Sequence, residues 1–155
     1  MPDSPRRGER APAFRLPSTA GEASLDGLLS NSRRLVLAFY FEDATPSCET
    51  ELAMLRDSFE MLDQFGANVL AVSADSIESH HAFAKKTGGL PFPLASDPSL
   101  EAAGAYGVID EADPKRARRA IFVIDRDGSL LLALPHFQPN NLAQVEAIFT
   151  ALGAE

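Results

Sequence analysis

The chain has 155 residues, a net charge of −8 and a single cysteine. That length fits one domain with a buried core, and the acidic balance excludes sequence-independent binding to nucleic acid, whose phosphates would repel it. No run of about 18 apolar residues is present, so no membrane-spanning helix is expected. Arg6-Arg7 is followed by no apolar stretch, which gives no export signal, and a lone cysteine suits a reducing, cytoplasmic setting.

Residues 1–8 are polar and carry Pro2, Pro5 and Gly8, and read as a loose tail. Ala13 to Leu16 is a short strand candidate closed by Pro17 and the turn residues Thr19-Ala20-Gly21. Leu35 to Tyr40 is apolar without alternation, as in a strand buried on both faces. Leu52, Leu55, Phe59, Leu62 and Phe65 fall at spacings of three and four, one helical stripe that Gly66 ends. Val69 to Val72 is a second buried strand. Asp75 or Ser76 can cap the next helix, which stops at Gly88-Gly89. An extended piece bracketed by Pro91 and Pro93 leads to a short helix over about 100–105. Asp110 to Arg118 reads as a charged loop. Ala120 to Ile124 is a third apolar strand, Asp125-Arg126-Asp127-Gly128 a hairpin turn, and Leu130 to Leu134 the returning strand. Leu142, Val145, Ile148 and Phe149 mark a final amphipathic helix. This order predicts a single α/β domain over 1–155, with a mixed central sheet flanked by helices.

The stretch before the first long helix concentrates the chemistry. Thr45 reads as its N-cap and Pro46 as its first residue, where a missing N–H does no harm. Cys48 follows in the first turn, where free N–H groups and the helix dipole favour a thiolate. The alternative is a small buried hydrophobe opening the apolar stripe one turn before Leu52. Its polar neighbours Glu42, Asp43, Glu49 and Glu51 suggest a site near water. A thiol moved from about 8.5 to about 6 requires roughly 3.4 kcal/mol, and an exposed helix terminus gives only about 0.3–1 kcal/mol. A cation is therefore needed, and Arg116, Arg118 and Arg119 stand just before the third strand. His80 and His81 point about 100° apart on a helix and read as surface histidines rather than metal ligands. His136 has no partner spacing either, and no nucleotide-binding or serine-hydrolase motif occurs.

The segment Thr45-Pro46-Ser47-Cys48 with Glu51 resembles the Pro-x-x-x-Thr-x-x-Cys motif of the peroxiredoxins. Val72 to His80, Gly89 to Leu94, Ser96-Asp97-Pro98 and Ala105 to Val108 resemble that family in order and spacing. The chain is most similar to the bacterioferritin-comigratory-protein (peroxiredoxin Q) branch of the AhpC/TSA family. The resemblance implies a thioredoxin-like fold with an N-terminal β extension. It also implies a peroxidase in which the Cys48 thiolate attacks a hydroperoxide and becomes a sulfenic acid. Thr45 would help bind the peroxide. Arg119, six residues before Asp125, would hold the thiolate and a peroxide oxygen, and Glu51 would orient Arg119. The motif's proline falls on Phe41, whose ring is expected to lie over Cys48 and narrow the pocket. The branch's resolving cysteine falls on Ala53, which implies a one-cysteine enzyme recycled by thioredoxin, glutaredoxin or a low-molecular-weight thiol. No cofactor and no metal are implied, and the chain would be a monomer or homodimer. A rival reading is a redox sensor or partner-binding module on the same fold that has lost turnover.

Overall fold

The computed structural model describes residues 4–43 and 45–153. Its centre is β3 (Arg34–Phe39), whose last five residues are buried, because both faces of this strand are covered. It pairs in parallel with β4 (Ala67–Ser73) and antiparallel with β6 (Ala120–Ile124). With β1 (Arg15–Ser18), β2 (Gly21–Ser24), β5 (Leu94–Ser96) and β7 (Leu130–Leu134), the sheet runs β2-β1-β5-β4-β3-β6-β7. The expected mixed α/β sheet is therefore formed, with β1 and β2 as its N-terminal extension.

The strand period of two divides the core. Leu35, Leu37 and Phe39 face one cluster, with Phe122, Tyr106 and residues of α1 (Leu25–Leu28) and α4 (Glu101–Ala105). Val36, Ala38 and Tyr40 face the other, with the apolar stripe of α2 (Pro46–Gln64), Phe83 of α3 (Ile77–Lys86) and Ile148 of α5 (Leu142–Ala151). The stripe and its end at Gly66 (φ +79°) follow the sequence reading. So does the hairpin, where the Gly128 N–H donates to the Asp125 carbonyl at 2.9 Å and Gly128 has φ +90°.

Three local features differ from the expectation. Gly21–Ser24 forms a strand despite weak β formers, because its pairing with β1 supplies the ladder. Leu25–Leu28 forms a helix capped by the Ser24 hydroxyl, which accepts from the Gly27 N–H. The segment expected to be loose is held: the Ser4 hydroxyl donates to the Gly107 carbonyl, and the Gly8 N–H to that of Leu130. Residues 1–3 of that segment lie outside the described residues.

Phe122 is fully buried, with its ring centroid 5.0 Å from that of Tyr106 and 6.1 Å from that of Phe39. Phe122→Ala is expected to lower stability by about 3–5 kcal/mol. Met61→Ala, at a site 53% exposed, should stay within about 0.5 kcal/mol. Urea unfolding of both variants checks the pair.

Candidate active site

At the end of β3 the chain leaves the sheet and turns into α2. Thr45 has the extended backbone of an N-cap (φ −81°, ψ 142°), its carbonyl accepts from the Glu49 N–H at 2.8 Å, and Pro46 takes the first helical position. The cap lacks the expected side-chain bond. The Thr45 hydroxyl instead donates back to the Glu42 carbonyl at 3.2 Å, closing the turn that precedes the helix.

Cys48 opens the apolar stripe of α2, as the small-hydrophobe reading expects. It is only 1% exposed and belongs to the apolar cluster of Tyr40, Leu52 and Leu55, so the expectation of a site near water is not met. Yet its Sγ accepts a hydrogen bond from the Phe41 N–H at 3.2 Å. The Phe41 side chain packs against the same cluster, and the Arg116 guanidinium stands 5.6 Å from its ring centroid. Proline has no N–H and could not make this bond.

The sheet brings the three candidate arginines to this turn and then separates their roles. Phe39 pairs with Ala120, so Arg119 enters the sheet beside the point where the chain leaves for Cys48. Arg116 is spent on carboxylates: it reaches Glu42 at 3.2 Å and Asp75 at 3.3 Å. Arg118 is spent on backbone, donating to the carbonyls of Pro135 at 2.7 Å and Gly107 at 3.0 Å. The Arg119 side chain makes no hydrogen bond or ion pair with another described residue. It lines a cavity of about 330 Å³ together with Phe41, His136 and Phe137, and a second of about 260 Å³ with Pro46, Thr50 and Gln138.

Glu51 lies one turn beyond Cys48 and is fully buried. Neither carboxyl oxygen has a hydrogen-bond partner. Burial pushes its pKa well above the ordinary carboxylate value, and the opposing pull of the Arg119 charge is the smaller effect. The expected bond from Glu51 to Arg119 is thus not formed; the two interact only at a distance.

His80 corrects the sequence reading outright, because it is fully buried rather than at the surface. Its Nε2 bonds the Ala95 carbonyl at 2.9 Å, which requires a proton on that nitrogen, and its Nδ1 lies 2.9 Å from Asp43 Oδ2. The Tyr40 hydroxyl and the Ser79 hydroxyl donate to the same carboxylate at 2.6 and 2.7 Å. The Asp43 N–H donates to Asp75 at 2.9 Å. This network straps the turn before Cys48 onto α3 and β5. Its signal in the sequence was the spacing of His80 three residues before Phe83, which places both on the helix's inner face. His81 is exposed, as expected, and His136 is exposed as well. Among the described residues no cluster of His, Cys, Asp or Glu could hold a metal ion, and no helix is long and apolar enough to cross a membrane.

The sequence model of the AhpC/TSA family matches residues 7–132. A Coxiella burnetii protein named as a bcp-type peroxiredoxin is 36% identical over 134 residues, covering 83% of this chain and 87% of its own. The chloroplastic peroxiredoxin Q of Sedum lineare is 36% identical over 135 residues, covering 86% and 71%. The crystal structure of peroxidoxin BcpB from Mycobacterium tuberculosis superposes with a TM-score of 0.83 at 28% identity, over 97% of this chain and 98% of that one. The chain belongs to the AhpC/TSA family and is a one-cysteine peroxiredoxin of the bcp, or Q, type, with the thioredoxin-like fold.

Burial alone would raise the pKa of Asp43, but hydrogen bonds from His80, Tyr40 and Ser79 outweigh it and hold the carboxyl below its ordinary 3.8. A depressed carboxyl stabilises the fold above its unfolded pKa and loses that contribution as pH falls through the folded one. Asp43→Asn is expected to cost about 3–5 kcal/mol at pH 7, since it strips a buried partner from His80. The difference from wild type should narrow below pH 3.8. Urea unfolding of both proteins at about pH 7 and about pH 3 measures it; a gap independent of pH would contradict the assignment.

Proposed function

We propose that the chain is a thiol-dependent peroxidase that reduces hydrogen peroxide or organic hydroperoxides through Cys48. The observation that carries this reading is the Phe41 N–H held 3.2 Å from Cys48 Sγ in the first turn of α2. A hydrogen-bond donor and the positive end of a helix dipole converge there on the one sulfur of the chain. In the reaction the thiolate attacks the terminal peroxide oxygen, the O–O bond breaks, and sulfur is oxidised to sulfenic acid while water or an alcohol departs. Arg119, the arginine of the three with no other partner among the described residues, steadies the thiolate and the charge that develops on the leaving oxygen. The Thr45 hydroxyl donates to Glu42 and keeps lone pairs with which to accept the peroxide O–H. The cavity bounded by Phe41 and Arg119 is the approach to the sulfur.

With no second cysteine, an external thiol reduces the sulfenic acid: one thiol forms a mixed disulfide and releases water, and a second frees Cys48. Thioredoxin, glutaredoxin or a low-molecular-weight thiol in a reducing cytoplasm would serve.

Stopped-flow mixing of the reduced protein with hydrogen peroxide tests the reading. Fast formation of one sulfenic acid, lost in Cys48→Ser, is expected; a rate no faster than that of a free thiol would rule it out.

Arg119→Ala should slow the reaction by about 10²-fold or more, the usual loss for a donor to developing negative charge. Arg116→Ala and Arg118→Ala should act mainly on stability. Equal small losses at all three positions would reduce them to a solvated loop.

Phe41→Pro removes a hydrogen bond to a charged sulfur worth about 1.5–3 kcal/mol, so a loss of about 10- to 100-fold is expected. Phe41→Leu keeps the N–H and shrinks the cover. It should leave the hydrogen peroxide rate within about threefold, given that the hydrogen bond and not the ring supplies that stabilisation. Bulky alkyl hydroperoxides should gain relative to hydrogen peroxide; equal changes for both peroxides would show that the ring is no gate.

A further inference from the structure

Glu51 is the outstanding anomaly of the molecule: a fully buried carboxyl group with neither oxygen hydrogen-bonded. Buried polar groups are nearly always paired, and a buried carboxylate without hydrogen bonds is far costlier than the neutral acid. Its position is equally specific. It follows Cys48 by three residues on α2, so both side chains lie on one helix face. The charged group that acts on it is Arg119, at the entry to β6. We propose that Glu51 carries a proton at rest and donates it to the oxygen that leaves when Cys48 attacks a peroxide.

This proposal rests on the peroxidase reading and supplies the step that reading leaves open. Attack of thiolate on ROOH forms an S–O bond, breaks the O–O bond and expels RO⁻, a strong base, beside a sulfur that is only 1% exposed. With the Glu51 proton the products are Cys48 sulfenic acid, ROH and the Glu51 carboxylate. The negative charge moves from sulfur to Glu51, so the buried site holds one anion beside Arg119 before and after. A carboxylate at rest would instead compete with the thiolate for that arginine. The cycle closes when the second reducing thiol displaces Cys48 as thiolate and its proton returns to Glu51. Overall, ROOH and two thiols give ROH, water and a disulfide.

The test varies how much the leaving oxygen needs a proton. Hydrogen peroxide expels hydroxide, the conjugate base of water with pKa about 15.7. A peroxycarboxylic acid expels a carboxylate, the conjugate base of an acid of pKa about 4. Single-turnover rates of both oxidants are measured with reduced wild type and Glu51→Gln, which keeps the side chain's shape but has no acidic proton. The variant should lose about 10²-fold with hydrogen peroxide, the usual worth of a positioned general acid, and far less with the peroxycarboxylic acid. Loss by the same factor for both oxidants, or no loss with hydrogen peroxide, overturns the proposal. The wild-type chain gives a second readout that needs no variant. A solvent deuterium isotope effect is expected on the hydrogen peroxide reaction and a smaller one with the peroxycarboxylic acid; equal effects overturn the proposal. A wild-type chain inert to both oxidants overturns the peroxidase reading, and this one with it.

Discussion

The antiparallel pairing of β3 with β6 is the constraint on which the site depends. Leu35 pairs with Ile124 and Phe39 with Ala120. That register delivers Arg119 to the edge where the chain leaves β3 for the Cys48 turn, from 71 positions further along the sequence. A slip of one residue would turn Arg119 to the other face of the sheet and carry the β6 core residues with it. The register is secured by burial, since β6 has all five residues buried and β3 five of six. The hydrophobic core thus fixes where Arg119 enters the sheet.

Around that point the protein distributes its charges by task. The molecule is acidic overall, yet three arginines converge on one end of the sheet. Two are consumed by the scaffold: Arg116 ties the turn to Asp75 and Glu42, and Arg118 fastens the loop that carries Pro135 to the segment of Gly107. Arg118 and Arg119 both line the larger of the two cavities, and of the three arginines Arg119 alone has a side chain without a hydrogen bond or ion pair among the described residues. Such division follows from elementary cost, because a guanidinium locked to carboxylates or carbonyls has little left to offer a transient anion.

The Cys48 turn is held from two directions. From below, Tyr40, Asp43 and His80 form a buried hydrogen-bonded group that fixes the path of residues 40–43. From within, the Phe41 N–H meets the sulfur. Phe41, unlike a proline, has an N–H to give to the sulfur, and its side chain packs against the same apolar cluster. Buried polar networks rigidify the parts they satisfy, and here the rigid part is the backbone that presents a donor to sulfur.

The sequence by itself determined most of the helices and strands, though not β2 or α1, together with the start of α2 at Thr45-Pro46 and the candidate residues Cys48, Glu51 and Arg119, since periodicity, capping and motif spacing are local properties. The unbroken apolar runs of β3 and β6 announced buried strands, and Gly128 announced the hairpin. What the sequence left open was decided by partners distant along the chain. His80 looked like a surface residue because its acceptors, Asp43 and Ala95, lie 37 and 15 residues away. Gly21–Ser24 became a strand only through β1. The offset from Asp125 pointed to Arg119, but only the fold showed that carboxylates and carbonyls from other segments claim Arg116 and Arg118. Glu51 read as an arginine's partner, and only the fold, by enclosing it without a hydrogen bond, made it a buried acid. Burial and long-range pairing are products of the whole chain, and no local window of residues contains them.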